Sequence, residues 1–236
     1  MQNNETRREM LAAIREQLAA SAPFDAVHDQ RGEHPTVATR TDHFSREAQT
    51  QAHSLTQSFC ASLEEVSGYC SLVRDEIEAA AAVQRIIEQK NLRRIAVSDS
   101  SLVQKIMRGV EHNAEVLEAA APADLFHCDA GITSAQWGIA ETGTLVLESA
   151  QERHRLASLV PPLHIAIIEA GQIRQTMAEV LNVINKEGPD SLSRTVTFIT
   201  GPSRTSDIEL TLAIGVHGPA ELHAIVIDEK AALTGV

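Results

Sequence analysis

The sequence predicts an α/β protein with an open, largely parallel sheet, preceded by an amino-terminal helical extension. Two observations lead to this prediction. Short apolar runs alternate with segments of helical periodicity along most of the chain, and such alternation is typical of parallel strands joined by crossover helices. In addition, 43% of the 236 residues are hydrophobic, which is enough for a normal buried core.

Residues 1–46 are expected to form an amino-terminal helix and a polar arm. A helix over about residues 4–20 would carry apolar residues on one face. These residues are Met10, Leu11, Ile14 and Leu18. Residues 21–46 are polar without a clear period, which favours a linker or a surface arm. The α/β domain is therefore expected to occupy residues 47–236.

The first half of this domain is expected to alternate regularly. A helix beginning near Ala48 has apolar residues at helical spacing and is expected to end at Gly68. The elements expected after it are strand 70–73, helix 75–89, strand 94–98, a helix capped within 98–101 and ending near 110, strand 116–117 and strand 125–128.

Residues 137–149 interrupt the alternation, because two extended runs flank Thr142 and Gly143 and predict a β-hairpin. After the hairpin, strands and helices are expected to alternate again. They are strand 164–168, a helix with its apolar face over 173–184, strand 195–200, loop 201–207, helix 208–214 and a final strand 221–228 of the same sheet.

Bulk composition excludes several classes of function. The net charge of -12 and the pI near 5.3 argue against a nucleic-acid partner, which requires a basic surface. Only 3% of residues are aromatic, so neither a base-stacking platform nor an aromatic carbohydrate-binding cleft is expected. The beginning of the chain lacks the apolar run of a signal peptide, and no apolar stretch is long enough to span a bilayer. We therefore expect a cytoplasmic protein without a membrane span.

Cys60, Cys70 and Cys128 lack the spacing of iron–sulfur ligands, so no cluster and no other cofactor is expected in this chain. In a reducing compartment they are expected to be buried or half-buried thiols. Neighbours on a strand point to opposite faces, which makes His127, Cys128 and Asp129 a poor ligand set. No metal site is expected.

The loop over residues 201–207 is the first candidate binding site. Gly201, Ser203, Arg204, Thr205 and Asp207 would lie between a strand and a helix start, which suits a carboxylate or phosphate. Arg204 is the first choice for a carboxylate ligand, and Arg153 and Arg155 come second. Plain helix capping explains the same loop, since Ser206 and Glu209 have the spacing of a capping box.

The hairpin tip is the second candidate. Glu141 is a candidate catalytic base or nucleophile, and Thr142, Gly143 and Thr144 would offer hydroxyl and amide groups to an anion. The alternative is a solvated carboxylate beside a glycine that the turn needs for positive φ.

Histidines offer one further binding candidate. His217 lies between Val216 and Gly218 and is a candidate ligand-binding residue. His164 begins a buried strand and is expected to be a core histidine.

Three segments in order and spacing resemble the lactate utilization protein C family. They are IAETGTLV at residues 139–146, the Pro-Pro-containing segment at 155–168, and GPSRTSDIE at 201–209 followed by GVHGP at 215–219. The resemblance covers roughly the last 170 residues. We expect the loop, the hairpin and the Pro-Pro segment to form one wall of a shared cleft.

The resemblance implies a fold similar to the ribose-5-phosphate isomerase and coenzyme A transferase group. It also implies work beside iron–sulfur partner proteins in the oxidation of L-lactate to pyruvate. Two alternatives stay open: a stand-alone enzyme acting on a phosphorylated or coenzyme A-linked small molecule, and a non-catalytic ligand-sensing or assembly module. A small carboxylate or phosphate-bearing ligand fits the candidate loop in either case.

Overall fold

The structure is a computed structural model that describes residues 44–118, 120–186, 193–206, 212–214 and 217–229. The chain divides into two units, residues 1–40 and 41–236, and the described residues all belong to the second. The expected helix over residues 4–20 and most of the polar arm lie outside the described residues.

The helices and strands alternate through most of the described chain. The α-helices are α1 (Phe44–Glu65), α2 (Glu76–Gln89), α3 (Ser101–Met107), α4 (Pro122–Leu125) and α5 (Met177–Lys186). The strands are β1 (Tyr69–Val73), β2 (Arg94–Val97), β3 (Glu115–Glu118), β4 (Ala130–Ser134), β5 (Trp137–Ile139), β6 (Thr144–Glu148), β7 (Leu163–Glu169), β8 (Ile173–Arg174), β9 (Val196–Ile199), β10 (Arg204–Ser206), β11 (Leu212–Ile214) and β12 (Glu221–Ile227). Two short 3-10 turns cover Arg155–Ser158 and Ala170–Gln172.

A six-stranded sheet forms the centre of the domain, with strand order β1-β12-β7-β4-β2-β3. Every neighbouring pair in this sheet is parallel. All five residues of β4 are buried, as are six of the seven in β7, because helices and loops cover both faces of a parallel sheet. The predicted α/β fold with an open, largely parallel sheet is confirmed, and the last strand lies inside it.

The two faces of this sheet bury different sets of residues. On one face, α2 and α3 pack against alternate strand residues such as Ile132, Ile165 and Ile225. On the other face, Phe59 and Leu63 of α1 pack with the residues alternating with those, such as Ala166 and Ala224. The sheet is therefore the middle layer of the domain.

A local sequence signal explains where α2 begins. The side chain of Asp75 accepts a hydrogen bond from the Glu78 amide at 2.8 Å and caps α2. The expected strands 70–73, 94–98 and 116–117 and the helices from 48 and 75 all agree with the structure to within a few residues.

A second, four-stranded sheet has the order β8-β5-β6-β9. β5 and β6 form the predicted antiparallel hairpin. The strand predicted at 195–200 is present as β9, but it pairs antiparallel with β6 rather than joining the parallel sheet. The loop after it therefore does not open from the carboxyl end of a parallel strand, as the sequence had suggested.

The helix expected at 208–214 is wrong at its described end, since Leu212–Ile214 is a strand paired antiparallel with Arg204–Ser206. Ile208, Leu210, Leu212 and Ile214 alternate with other residues at a period of two, which is a strand pattern. Asp207 and the Glu209 end of the expected capping box lie outside the described residues.

Two other boundaries also differ. Residues 125–128 are not a strand, because Pro122 opens the short helix α4 and the strand lies at Ala130–Ser134 instead. The helix expected from residue 173 begins at Met177, since Ile173 and Arg174 pair with β5.

The cysteines differ from the expectation of three thiols. Cys60 in α1 and Cys70 in β1 form a disulfide, because the two elements bring their Cα atoms to 5.3 Å. Cys128 is a buried thiol. Among the helices that the structure describes, none has the length and apolarity to cross a membrane.

Candidate functional site

Glu141, the candidate catalytic residue, lies at the start of α5. Its Oε1 atom accepts a hydrogen bond from the Met177 amide at 3.0 Å, and its own amide donates to the Gln175 carbonyl oxygen. A carboxylate at a helix start is stabilised by the helix dipole. The exposed Glu141 side chain therefore has a structural partner in the described chain.

Gly143 brings the hairpin turn against α1. Its φ of +62° is in the left-handed region, and a Cβ atom there would lie 2.2 Å from the Leu63 amide nitrogen. Beside it, the Ser62 hydroxyl donates to the Ala140 carbonyl oxygen at 2.8 Å. The turn needs glycine for its conformation and for close approach to the helix.

The threonines of the hairpin form a chain of hydroxyl contacts. Thr142 Oγ1 and Thr144 Oγ1 are 2.7 Å apart, and Thr144 Oγ1 and Thr200 Oγ1 are 2.6 Å apart. Thr144 is buried, whereas Thr142 is exposed. This chain of hydroxyls links the hairpin to the end of β9.

Arg204 binds the carboxyl-terminal end of α1. Its Nη2 atom donates to the Val66 carbonyl oxygen at 2.9 Å and to the Ser67 hydroxyl. Gly201, with φ of +81°, also approaches this helix end, since a Cβ atom there would lie 2.7 Å from the Val66 oxygen. A cationic side chain at a helix carboxyl terminus satisfies unpaired carbonyl groups and stabilises the helix.

The remaining predicted residues lie near this loop or outside the described chain. The Ser203 amide donates to the Pro219 carbonyl oxygen at 2.8 Å, which places Ser203 beside the segment that begins with the exposed His217. Thr205 lies in β10, and Asp207 is outside the described residues. Among the residues described, no hydrogen bond or ion pair joins Glu141 to Arg204.

A polar cavity that sequence reasoning missed lies at the carboxyl ends of β2, β4 and β7. It has a volume of about 350 Å³ and is lined by residues 99–102, 134–136, 150–151, 153, 169 and 172. We call it the strand-end crevice. In open α/β sheets, ligands bind in crevices outside the carboxyl ends of the strands. Its position makes it the better candidate site.

Glu152 lies fully buried behind the crevice wall. Its Oε2 atom accepts hydrogen bonds from the Ser134 amide at 3.1 Å and from the Ser134 hydroxyl at 3.3 Å, while Oε1 has no hydrogen-bond partner among the described residues. Burial raises the pKa of the Glu152 carboxyl above its ordinary value, and the neighbouring Ser134 amide and the Ser98 and Ser134 hydroxyls oppose this rise. A carboxyl group with a raised pKa can hold or transfer a proton.

The rim of the crevice carries opposite charges. Asp99 Oδ2 lies 3.2 Å from Arg153 Nε and 3.8 Å from His154 Nε2. Arg153, considered above as a carboxylate ligand, is thus paired with Asp99, and Arg155 begins a 3-10 turn. The sequence signal for this rim was the run of residues 98–101 after β2, which we interpreted only as a helix cap.

A larger cavity of about 670 Å³ lies at the opposite end of the sheet. It is lined by the end of α2 and by residues 111–114, which lead into the amino end of β3. The amino ends of parallel strands are not where ligands bind in open α/β sheets, so we favour the smaller crevice.

The other titratable candidates have structural roles. His164 is fully buried, its Nε2 atom lies 2.8 Å from Thr133 Oγ1, and burial lowers its pKa to about 3. The Cys128 thiol contacts the Asp124 carbonyl oxygen, and burial raises its pKa. The carboxylate of Asp129 accepts hydrogen bonds from the Arg93 and Arg94 amides. Among the described residues, no group of His, Cys, Asp or Glu side chains is placed to hold a metal ion.

Three relatives of known sequence align with less than half of this chain. The chain is 43% identical over 101 residues to an uncharacterized protein of Neisseria meningitidis serogroup B, covering 42% of each chain. It is 38% identical over 104 residues to lactate utilization protein C of Halalkalibacterium halodurans, covering 43% of this chain and 45% of the relative. It is 39% identical over 106 residues to lactate utilization protein C of Deinococcus radiodurans, covering 44% and 49%. The chain thus spans less than half the length of these curated relatives.

A solved structure and a family model cover more of the chain. The crystal structure of a DUF162 family protein from Deinococcus radiodurans superposes with a TM-score of 0.58 at 23% identity, covering 75% of this chain and 98% of that one. This likeness supports the fold. The model of the LUD domain matches residues 56–227, which is most of the 236-residue chain. The chain therefore belongs to the LUD domain family.

Proposed function

We propose that this protein is a component of an L-lactate utilization system, in which it supports the oxidation of L-lactate to pyruvate together with iron–sulfur partner proteins. The observation that carries the proposal is the LUD domain over residues 56–227, combined with relatives at 38–39% identity that are named lactate utilization protein C. We place the protein in the cytoplasm, with the clusters held by its partners.

The charges that line the strand-end crevice favour an accessory role for this chain over binding of lactate in the crevice. Asp99 and Glu169 both line the crevice, and its one cationic lining residue, Arg153, is paired with Asp99. A crevice with excess negative charge disfavours a carboxylate ligand. Lactate oxidation would then depend on this chain through its partners.

Deletion of the gene in the source organism tests this role. We expect the deletion strain to lose growth on L-lactate and to keep growth on pyruvate, because only the step before pyruvate requires the protein. A plasmid copy of the wild-type gene is expected to restore growth on L-lactate. Normal growth of the deletion strain on L-lactate as sole carbon source would overturn the proposal.

Purification from lactate-grown cells tests the partners. A tagged copy of the full chain is expected to bring down proteins that contain iron and acid-labile sulfide, which chemical assay and mass spectrometry detect. Cells grown on pyruvate provide the comparison. If growth on L-lactate requires the chain but no iron–sulfur protein is recovered with it, the function stands and the proposed partnership does not.

A further inference from the structure

We propose that the strand-end crevice binds a neutral, polyhydroxylated small molecule of monosaccharide size. This binding site goes beyond the proposed role in lactate utilization and does not rest on it. The inference comes from the position, the lining and the charge of the crevice.

The size and lining of the crevice indicate a small polar ligand. Its volume of about 350 Å³ is at the lower end of the range for small-molecule sites. Such sites are usually lined by apolar and aromatic side chains, but here nine of the twelve lining residues are polar or charged and none is aromatic. A ligand that fills this space must form hydrogen bonds over most of its surface.

Several lining side chains have hydrogen-bonding capacity that the described chain does not use. The hydroxyls of Ser100 and Ser101 and the amide of Gln151 line the crevice. No hydrogen bond from these three side chains to another described residue is present. Ser100 is half-buried, and Ser101 and Gln151 are exposed, so these groups are accessible and can form hydrogen bonds with a ligand.

The charge of the crevice selects among polar ligands. Asp99 and Glu169 offer carboxylate oxygens; the Glu169 carboxylate also accepts a hydrogen bond from the Gln172 amide, and Asp99 holds Arg153 at 3.2 Å. Carboxylates form strong hydrogen bonds with hydroxyl donors and repel carboxylate or phosphate groups. A ligand with several hydroxyl groups and no negative charge satisfies this arrangement.

Glu152 and Gln136 hold the hydroxyl of the lining residue Ser134 in a fixed orientation. The Ser134 hydroxyl donates to Glu152 Oε2 at 3.3 Å and accepts from Gln136 Nε2 at 3.2 Å. Glu152 is completely buried, and its Oε1 atom has no hydrogen-bond partner in the described chain. Glu152 is not a lining residue itself, but its contact with Ser134 fixes the orientation of a hydroxyl that does line the crevice.

Ligand-observed NMR and titration calorimetry on the full chain test the proposal. The probes are D-ribose, D-glucose and myo-inositol, compared with L-lactate and inorganic phosphate as anions and with ethanolamine as a cation. We expect saturable binding of at least one polyol and at least tenfold weaker binding of the anions and of ethanolamine. Binding of no polyol, or preferred binding of an anion or of ethanolamine, would overturn the proposal.

Two variants locate the binding. Asp99→Asn is expected to weaken polyol binding at least tenfold, whereas Glu118→Gln is the matched control. Glu118 is an exposed carboxylate at the carboxyl end of β3, outside the crevice lining, so polyol affinity should be unchanged. Unchanged polyol affinity in Asp99→Asn, with a melting curve like that of the wild type, would refute the location. Growth of the deletion strain on L-lactate bears only on the proposed function, so the two failures are distinguishable.

Discussion

Replacement of Gly143 by alanine tests the interpretation of the hairpin turn. The sequence left open whether Gly143 helps to bind an anion or merely permits a tight turn. In the structure, φ is +62° and a Cβ atom would lie 2.2 Å from the Leu63 nitrogen and 2.5 Å from the Leu63 Cα atom. Both atoms belong to the backbone of α1, so neither can rotate away.

The expected cost has two sources. A non-glycine residue in the left-handed region costs about 1–2 kcal/mol, and overpacking against a rigid neighbour costs a further ~1–3 kcal/mol. We therefore expect Gly143→Ala to lower the free energy of unfolding by about 2–5 kcal/mol. For a domain of this size, each kcal/mol lowers the melting temperature by roughly 2–4 °C.

Urea denaturation followed by circular dichroism measures this change, and Gly171→Ala is the matched control. Nothing lies within 4 Å of the Cβ position at Gly171, and its φ is not in the left-handed region. The control should change stability by less than about 1 kcal/mol. If Gly143→Ala were as stable as Gly171→Ala, the close packing of the turn on α1 would be refuted.

Substitutions at three further positions test other features of the structure. Burial raises the pKa of Glu152, so between pH 4.5 and that raised value the native state binds more protons than the unfolded state, and stability falls as pH rises. The stability of Glu152→Gln relative to the wild type should therefore increase with pH over this window, as urea titrations at several pH values would measure. A difference in unfolding free energy that does not change with pH would contradict the raised pKa. Arg204→Ala should lower the free energy of unfolding by about 1 kcal/mol, because the hydrogen bond from the guanidinium to the Val66 oxygen is lost. If this variant restores normal growth of the deletion strain on L-lactate, Arg204 is not an essential ligand residue. Asp75→Ala should cost about 1 kcal/mol in thermal unfolding through loss of the α2 cap, whereas Asp75→Asn should keep most of that stability.

Most of the fold could be predicted because strand and helix periods are local properties of the sequence. Strands with a continuous apolar run, such as residues 165–168 of β7, are correctly identified, whereas β4 was expected at 125–128 and lies at Ala130–Ser134. The error at β9 has a different origin. An apolar run does not show which sheet it joins, and pairing with β6 depends on contacts about 50 residues apart in the chain.

The candidate site was harder to predict than the fold. Glu152 follows a hairpin strand in a charged stretch, and nothing local marks it as buried. Its position beside Ser134 arises because the loop after β6 returns to the end of β4, a contact between distant parts of the domain. Arg204, by contrast, had a strong local signal, but tertiary structure gives its guanidinium a partner at the end of α1.

The comparison of Arg204 with Ser100 and Ser101 gives a physical criterion for choosing between sites. Arg204 and Glu141 make hydrogen bonds to backbone groups at the ends of helices, so a ligand would have to compete with α1 and α5 for them. The crevice side chains of Ser100 and Ser101 have no such competitor in the described chain. A ligand can bind such groups without first displacing a protein partner, so the hydrogen bonds that it forms there cost the fold nothing. This difference favours the proposed site at the carboxyl ends of β2, β4 and β7 over the loop at 201–204, where Arg204 binds the end of α1.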